Sequence, residues 1–205
     1  TMHNPKDTAT KKAERDFRKA LLKLMQSKNF SEITVSELCK TAELSRGTFY
    51  RYYTNINDLL QDYIQEIFNN YTKDCDNIKY TSNDLKSGIF ARCKVYYNHI
   101  AVNRNFYTIM LGEHGIKNFQ ETLQNIRVKK FLKRYSLKNN NDDNYTKNIH
   151  FILLAQYITY AQLGLARYWL TGKMMVDIDT VSAIAADYTY CLLTNYKDDL
   201  LINLH

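Results

Sequence analysis

Eight residues from Ser45 to Tyr52 bring together groups able to hold phosphate and to read base edges. Ser45 and Thr48 are small hydroxyl donors suited to phosphate contacts at a helix start. Arg46 carries the planar fork that matches guanine O6 and N7, and it is the strongest candidate for base readout. Arg51 and Tyr52 could read bases or hold phosphate, and Tyr50 offers a phenol to phosphate. Gly47 has no side chain and lets its backbone come close to a partner. That choice costs about 1 kcal/mol of helix propensity relative to alanine, so a steric reason for it is expected. Thr34 and Ser36, a few residues earlier, would meet the phosphate backbone. Phe49 and Tyr53 fall on the face shared with Leu38 and are expected in the core.

These side chains need a scaffold, and the preceding residues supply one. Ala13, Phe17, Leu21, Leu24 and Met25 make one face of an amphipathic helix over about residues 8–27. Lys11, Lys12, Arg15, Arg18, Lys19 and Lys23 cover the rest of it. Thr34 and Glu37 are spaced as a capping box, each satisfying the other's amide. The helix they start is only about two turns long, and a third helix begins at Ser45. Two such short helices are unstable alone, so they must pack on the first, the helix-turn-helix arrangement.

Charge follows the same division. The chain of 205 residues carries a net charge of +7. Residues 1–56 account for +5 of it and the remainder for only +2. A basic end on a nearly balanced body points to a polyanionic partner, and charge alone does not separate DNA from RNA or an anionic membrane.

The rest of the chain reads as helix. Six glycines and one proline in the whole sequence argue against a turn-rich sheet fold. A connector helix is expected from Asn57 to about Asp76, then one opened by residues 81–83, a short segment from Phe106 to Leu111, and a helix from Ile116 to Tyr135. The run 139–144 is the clearest loop. Two apolar helices, about Tyr145–Leu170 and Asp177–Leu201, close the sequence. The first is apolar around so much of its circumference that it needs burial on more than one side, which an intermolecular four-helix interface would supply. Arg127, Lys129, Lys130, Lys133 and Arg134 form a basic cluster, either a second anion site or a solvated face, the latter carrying more weight.

Other classes find little support. There is no Ser-His-Asp order, phosphate-cradling glycine loop or H-E-x-x-H motif, so no enzyme is expected, and no cofactor or metal. Cys39, Cys75, Cys93 and Cys191 form no C-x-x-C pair and read as small apolar helix residues. The longest uninterrupted apolar runs are a handful of residues, too short to span a bilayer, and residues 1–10 lack an apolar leader core. A cytoplasmic protein is the expectation.

The segment Thr34 to Tyr53, with Leu59 and Leu60 beyond it, resembles the N-terminal domain of the TetR family of transcriptional regulators. Thr34, Val35, Leu38, Ala42, Ser45, Gly47, Thr48, Tyr50, Tyr52 and Tyr53 match the family pattern in register. Glu43 stands where the family often has glycine. Ile56 replaces a frequent lysine, so one phosphate contact per subunit is expected to be missing, with weaker or less salt-dependent binding. The segments 106–112 and 164–172 resemble a subgroup labelled dihydroxyacetone-kinase-regulator-like.

The resemblance implies an all-α fold of about nine helices. It would have a helix-turn-helix head over residues 1–56 and a dimerisation and effector-binding body over 57–205. It implies a repressor that binds a pseudo-palindromic operator in double-stranded DNA as a homodimer through the last two helices, with Trp169 near their junction and no membrane involvement. A small-molecule effector would sit in the body, with Tyr97, Phe106, Tyr107, Met110, His114, Phe151, Gln156 and Tyr157 as candidate lining. Aromatics at helical spacing are more often core than pocket. The alternative is a protein-interaction or co-regulator module that keeps the helix-turn-helix without specific DNA binding.

Overall fold

A computed structural model describes residues 5–78, 84–137, 145–172, 176–195 and 200–202. Among them are nine α-helices, a short 3-10 turn at Phe30–Glu32, and one two-stranded ribbon. The helices are α1 (Pro5–Met25), α2 (Val35–Ala42), α3 (Arg46–Tyr52), α4 (Ile56–Asp76), α5 (Leu85–Val102), α6 (Arg104–Met110), α7 (Phe119–Arg134), α8 (Tyr145–Leu170) and α9 (Ile178–Thr194). The all-α fold is therefore as expected. The chain divides into two compact units, Thr1–Asn69 with Asn105–Lys117, and Asn70–Arg104 with Asn118–His205.

In the first unit, the apolar face of α1 closes over α2 and α3. Phe17, Leu21, Leu38 and Phe49 are fully buried. The Phe17 and Phe49 rings meet edge-to-face at 5.4 Å, a geometry favoured by the ring quadrupoles. The first half of α4 joins this core through Leu59, Leu60 and Ile64. Arg18 of α1 fixes it there, donating to Asp62 and to Glu66 of α4 at 2.7 Å each. The segment from Asn105 returns to the same unit: Phe106 meets Tyr63 edge-to-face at 4.9 Å, and His114 Nδ1 lies 3.3 Å from Asn29 Oδ1. The unit thus takes in the first half of α4 and residues 105–117, and both of these last contacts join residues far apart in sequence.

The turn between α2 and α3 departs from simple sterics. Glu43 closes α2 with φ +56°, in the left-handed region. A side chain there costs about 1 kcal/mol relative to glycine. Its amide donates to the carbonyls of Cys39 and Lys40, so the helix C-cap geometry is kept at that cost. Glu43→Gly is expected to stabilise the protein by up to about 1 kcal/mol, read as a higher denaturant midpoint at unchanged m. A lower midpoint would contradict the left-handed turn.

In the second unit, α5 packs along α9, and α8 packs on α5, α7 and α9. Asp84 caps α5 and Asp177 caps α9, each through an amide three residues on, at 2.9 and 2.7 Å. The Trp169 indole donates to the Val176 carbonyl at 3.0 Å, at the passage from α8 to α9. Two expectations are corrected. The last helix ends at Thr194 rather than Leu201, and Leu200–Ile202 pairs antiparallel with Tyr135–Leu137. The ribbon pairing satisfies the backbone of these residues. The preceding helix starts at Phe119 rather than Ile116. The expected loop at 139–144 and the expected helix opening at 81–83 lie outside the described residues.

One helix, Ile149–Leu170, is long and apolar enough by length and composition to cross a membrane. Counting uninterrupted apolar runs missed it, because Gln156, Gln162 and Arg167 punctuate the sequence. It packs on three other helices of the unit, with 33% of the stretch buried.

Candidate nucleic-acid interface

The interface is built from two helix starts. At the first, Thr34 accepts from the Glu37 amide at 3.3 Å while Glu37 accepts from the Thr34 amide at 3.0 Å, so the capping box forms as expected. The Thr34 hydroxyl also donates to Glu37 at 2.9 Å. Lys28 donates to the same carboxylate at 2.6 Å. Together Lys28 and then Thr34 hold the Glu37 carboxyl down to about 2. The hydroxyl proton of Thr34 is thus already used, and a phosphate would have to compete with Glu37 for it.

At the second start, Ser45 accepts from the Thr48 amide at 3.0 Å. The two hydroxyls share one further bond at 2.9 Å, which leaves one hydroxyl proton of the pair for an outside acceptor. Helix α3 is seated by Phe49, fully buried, and by Tyr53, whose phenol donates to Asp62 at 3.3 Å. Tyr50 meets the Phe49 ring edge-to-face at 5.4 Å and is 53% exposed.

Thr34, Ser36, Ser45, Arg46, Gly47, Tyr50 and Arg51 are exposed, and Thr48 and Tyr52 are half-buried. A Cβ at Gly47 would meet only Ser45 Oγ, at 3.7 Å, an ordinary contact. Nothing inside the protein requires glycine there. Ile56, by contrast, is buried at the start of α4, where its side chain reaches no phosphate.

The expected effector-lining residues fall in both units. Phe106, Tyr107, Met110 and His114 belong to the first unit, and Tyr97, Phe151, Gln156 and Tyr157 to the second. Tyr97, Tyr107, Phe106, Met110 and Phe151 are packed core, and Tyr157 is 64% exposed. The second unit holds two cavities lined by other residues, one of about 70 Å³ that includes Tyr71, Tyr96, Arg127 and Lys130 and one of about 700 Å³ that includes Lys94, Arg104 and Trp169. Arg127 and Arg134 of the basic cluster are buried, contrary to the weightier expectation of a solvated face. Their spacing of seven with Phe131 between them is a helical face, and that was the readable signal. Cys39, Cys75 and Cys93 are buried free thiols, and burial pushes Cys93 up to about 12. Among the described residues no three metal-ligating side chains cluster.

A capped pair of short helices, the second exposing a row of donors above a buried aromatic anchor, defines a helix-turn-helix protein. The comparisons place it more closely. Residues 18–63 match the family model for bacterial regulatory proteins of the tetR family. Residues 93–189 match a transcriptional regulator C-terminal region of the same family. The chain belongs to the TetR family of bacterial transcriptional regulators, whose members bind DNA and are in general not enzymes.

Solved structures share the fold at low identity. A putative TetR-family regulator from Syntrophomonas wolfei is 14% identical with a TM-score of 0.66, over 90% of this chain and 96% of that one. A tetR-family regulator from Streptomyces coelicolor is 12% identical at 0.64, over 92% and 84%. The dihydroxyacetone kinase operon activator DhaS is 18% identical at 0.54, over 91% and 97%. No curated protein matches the sequence.

Proposed function

We propose that the chain is a cytoplasmic repressor that binds a pseudo-palindromic operator as a homodimer and responds to a small-molecule effector. Residues 1–56 form the DNA-contacting head, and residues 57–205 dimerise and take the effector. Helix α3 enters the major groove. Arg46 reads a guanine, Gly47 allows close approach, and Ser45, Thr48 and Tyr50 hold phosphates. Arg51 and Tyr52 add base or phosphate contacts, and Thr34 and Ser36 touch the backbone from α2.

The observation that carries this reading is Gly47. It sits in the first turn of an exposed helix at a cost in helix propensity, with open space where a side chain would be. A residue that the protein's own packing does not need is explained by a partner that comes close.

The dimer rests on α8 and α9. Leu153, Tyr157, Tyr160 and Tyr168 are exposed along one stripe of α8, and Tyr188 of α9 is 70% exposed. Large apolar side chains gathered in this way mark an interaction surface, and a second copy supplies the matching one. Repression rather than activation follows the family's tendency.

Gly47→Ala tests the reading because its two effects have opposite signs. The variant is expected to be more stable by about 0.5–1 kcal/mol and to bind operator DNA at least about tenfold more weakly. A variant that is stabilised and binds as well as the parent would show that no partner approaches this turn.

A further inference from the structure

Helix α7 buries a guanidinium in the second unit with no carboxylate beside it among the described residues. Arg127 donates to the Thr159 carbonyl at 2.7 Å, to the side chain of Gln162 and, at 3.3 Å, to that of Gln124. Its guanidinium carbon lies 3.7 Å from the centre of the Tyr96 ring. All three acceptors are neutral, and its Nε–H has no hydrogen-bond partner. A buried cation without a counter-charge is destabilising, and a well-packed apolar side chain would often serve stability better.

The charge faces a cavity. Tyr71, Tyr96, Arg127 and Lys130 line it, with Arg92 and Arg134, and none of the described lining residues is acidic. Lys130 pairs with Asp76 at 3.1 Å, a carboxylate that does not line the cavity. The Tyr96 hydroxyl is buried and also lacks a hydrogen-bond partner. Burial pushes this phenol above its usual range, so it remains an O–H donor at neutral pH. Arg127 and Tyr96 both line this one cavity, and a guanidinium that no described carboxylate balances calls for an anion beside it. A volume of about 70 Å³ suits a small oxyanion or the anionic head of a larger molecule, since whole drug-sized ligands need about 300–1,000 Å³.

We propose that this cavity binds an oxyanion, carboxylate or phosphate, held by Arg127 and Tyr96, and that the effector of this regulator is therefore an anionic small molecule. The inference rests on the reading of the chain as an effector-responsive regulator. It replaces an aromatic effector pocket with a cationic one.

Calorimetric titration of the full-length protein with inorganic phosphate, benzoate and benzamide tests it. One or both anions are expected to bind saturably, and the neutral amide of benzoate's shape is not. Tyr96→Phe, which removes one oxygen and keeps the ring, is expected to weaken anion binding by about tenfold or more. Arg127→Met is expected to abolish it while leaving the thermal midpoint unchanged or higher. Lys129→Met, on the exposed side of α7, should leave it intact. Binding of phosphate alone would assign a phosphorylated ligand, and of benzoate alone a carboxylate.

No saturable binding of either anion to about 10 mM overturns the proposal, as do equal binding of benzamide or undiminished binding in Tyr96→Phe. If the same protein still selects a DNA site, the regulator reading survives the loss of this one. Anion binding by a protein that selects no DNA site would support the cavity and overturn the regulator.

Discussion

Arg46→Ala is expected to weaken operator binding by about 1–3 kcal/mol per subunit, roughly 5- to 150-fold for each half-site. Arg46 is the first residue of α3 and is exposed. Among the candidates it is the side chain whose geometry discriminates one base from the others. The loss should therefore appear as relaxed sequence preference at a single position of each half-site. Arg51→Ala, if Arg51 holds phosphate, should instead weaken all sequences alike and lower the salt slope by about 1. Fluorescence anisotropy at two salt concentrations, on operator and on scrambled DNA, separates the two outcomes. An Arg46→Ala protein with unchanged preference at every position would remove Arg46 from base readout.

Phe49→Ala is expected to cost about 3–5 kcal/mol of stability, a large share of the 5–15 kcal/mol typical of a domain. The ring is fully buried and touches Phe17, Tyr50 and Tyr53 at 5.4, 5.4 and 5.8 Å. It is the anchor that ties α3 to α1. Removing it leaves a cavity under the one helix that carries the DNA-facing row. Urea unfolding should show the first unit melting early, and DNA binding should fall with it. A loss below about 1 kcal/mol would mean that α3 is held by something other than this aromatic cluster.

Local signals were legible in the sequence. The Thr34–Glu37 box, the Ser45 cap and the α1 face each depend on residues within one or two turns, and each forms as read. The burial of Phe49 and Tyr53 was legible for the same reason, since helical spacing sets which side chains share a face. What failed was non-local. Residues 105–117 join the first unit through Phe106 and His114, and no spacing rule announces a contact with Tyr63 or Asn29. The pairing of 200–202 with 135–137 joins segments more than sixty residues apart.

The basic run on α7 misled for a different reason. Charge is the strongest single marker of exposure, and it outweighed the periodicity that places Arg127 and Arg134 with Phe131. A buried arginine is an exception to composition, and exceptions of that kind gather where a site is. The aromatic residues read as effector lining proved to be mostly packed core, the commoner fate of aromatics at helical spacing.

The claim at the centre of this account is that the head reads a specific sequence as one of a pair. Selecting bound fragments from genomic DNA with the purified protein, at low and at moderate salt, measures it directly. The account predicts that one inverted repeat is enriched, that its half-sites are spaced for two recognition helices in successive major grooves about 34–36 Å apart, and that enrichment persists at moderate salt. Fragments without a shared site, lost as salt rises, would leave only counterion release by a basic surface and would contradict it.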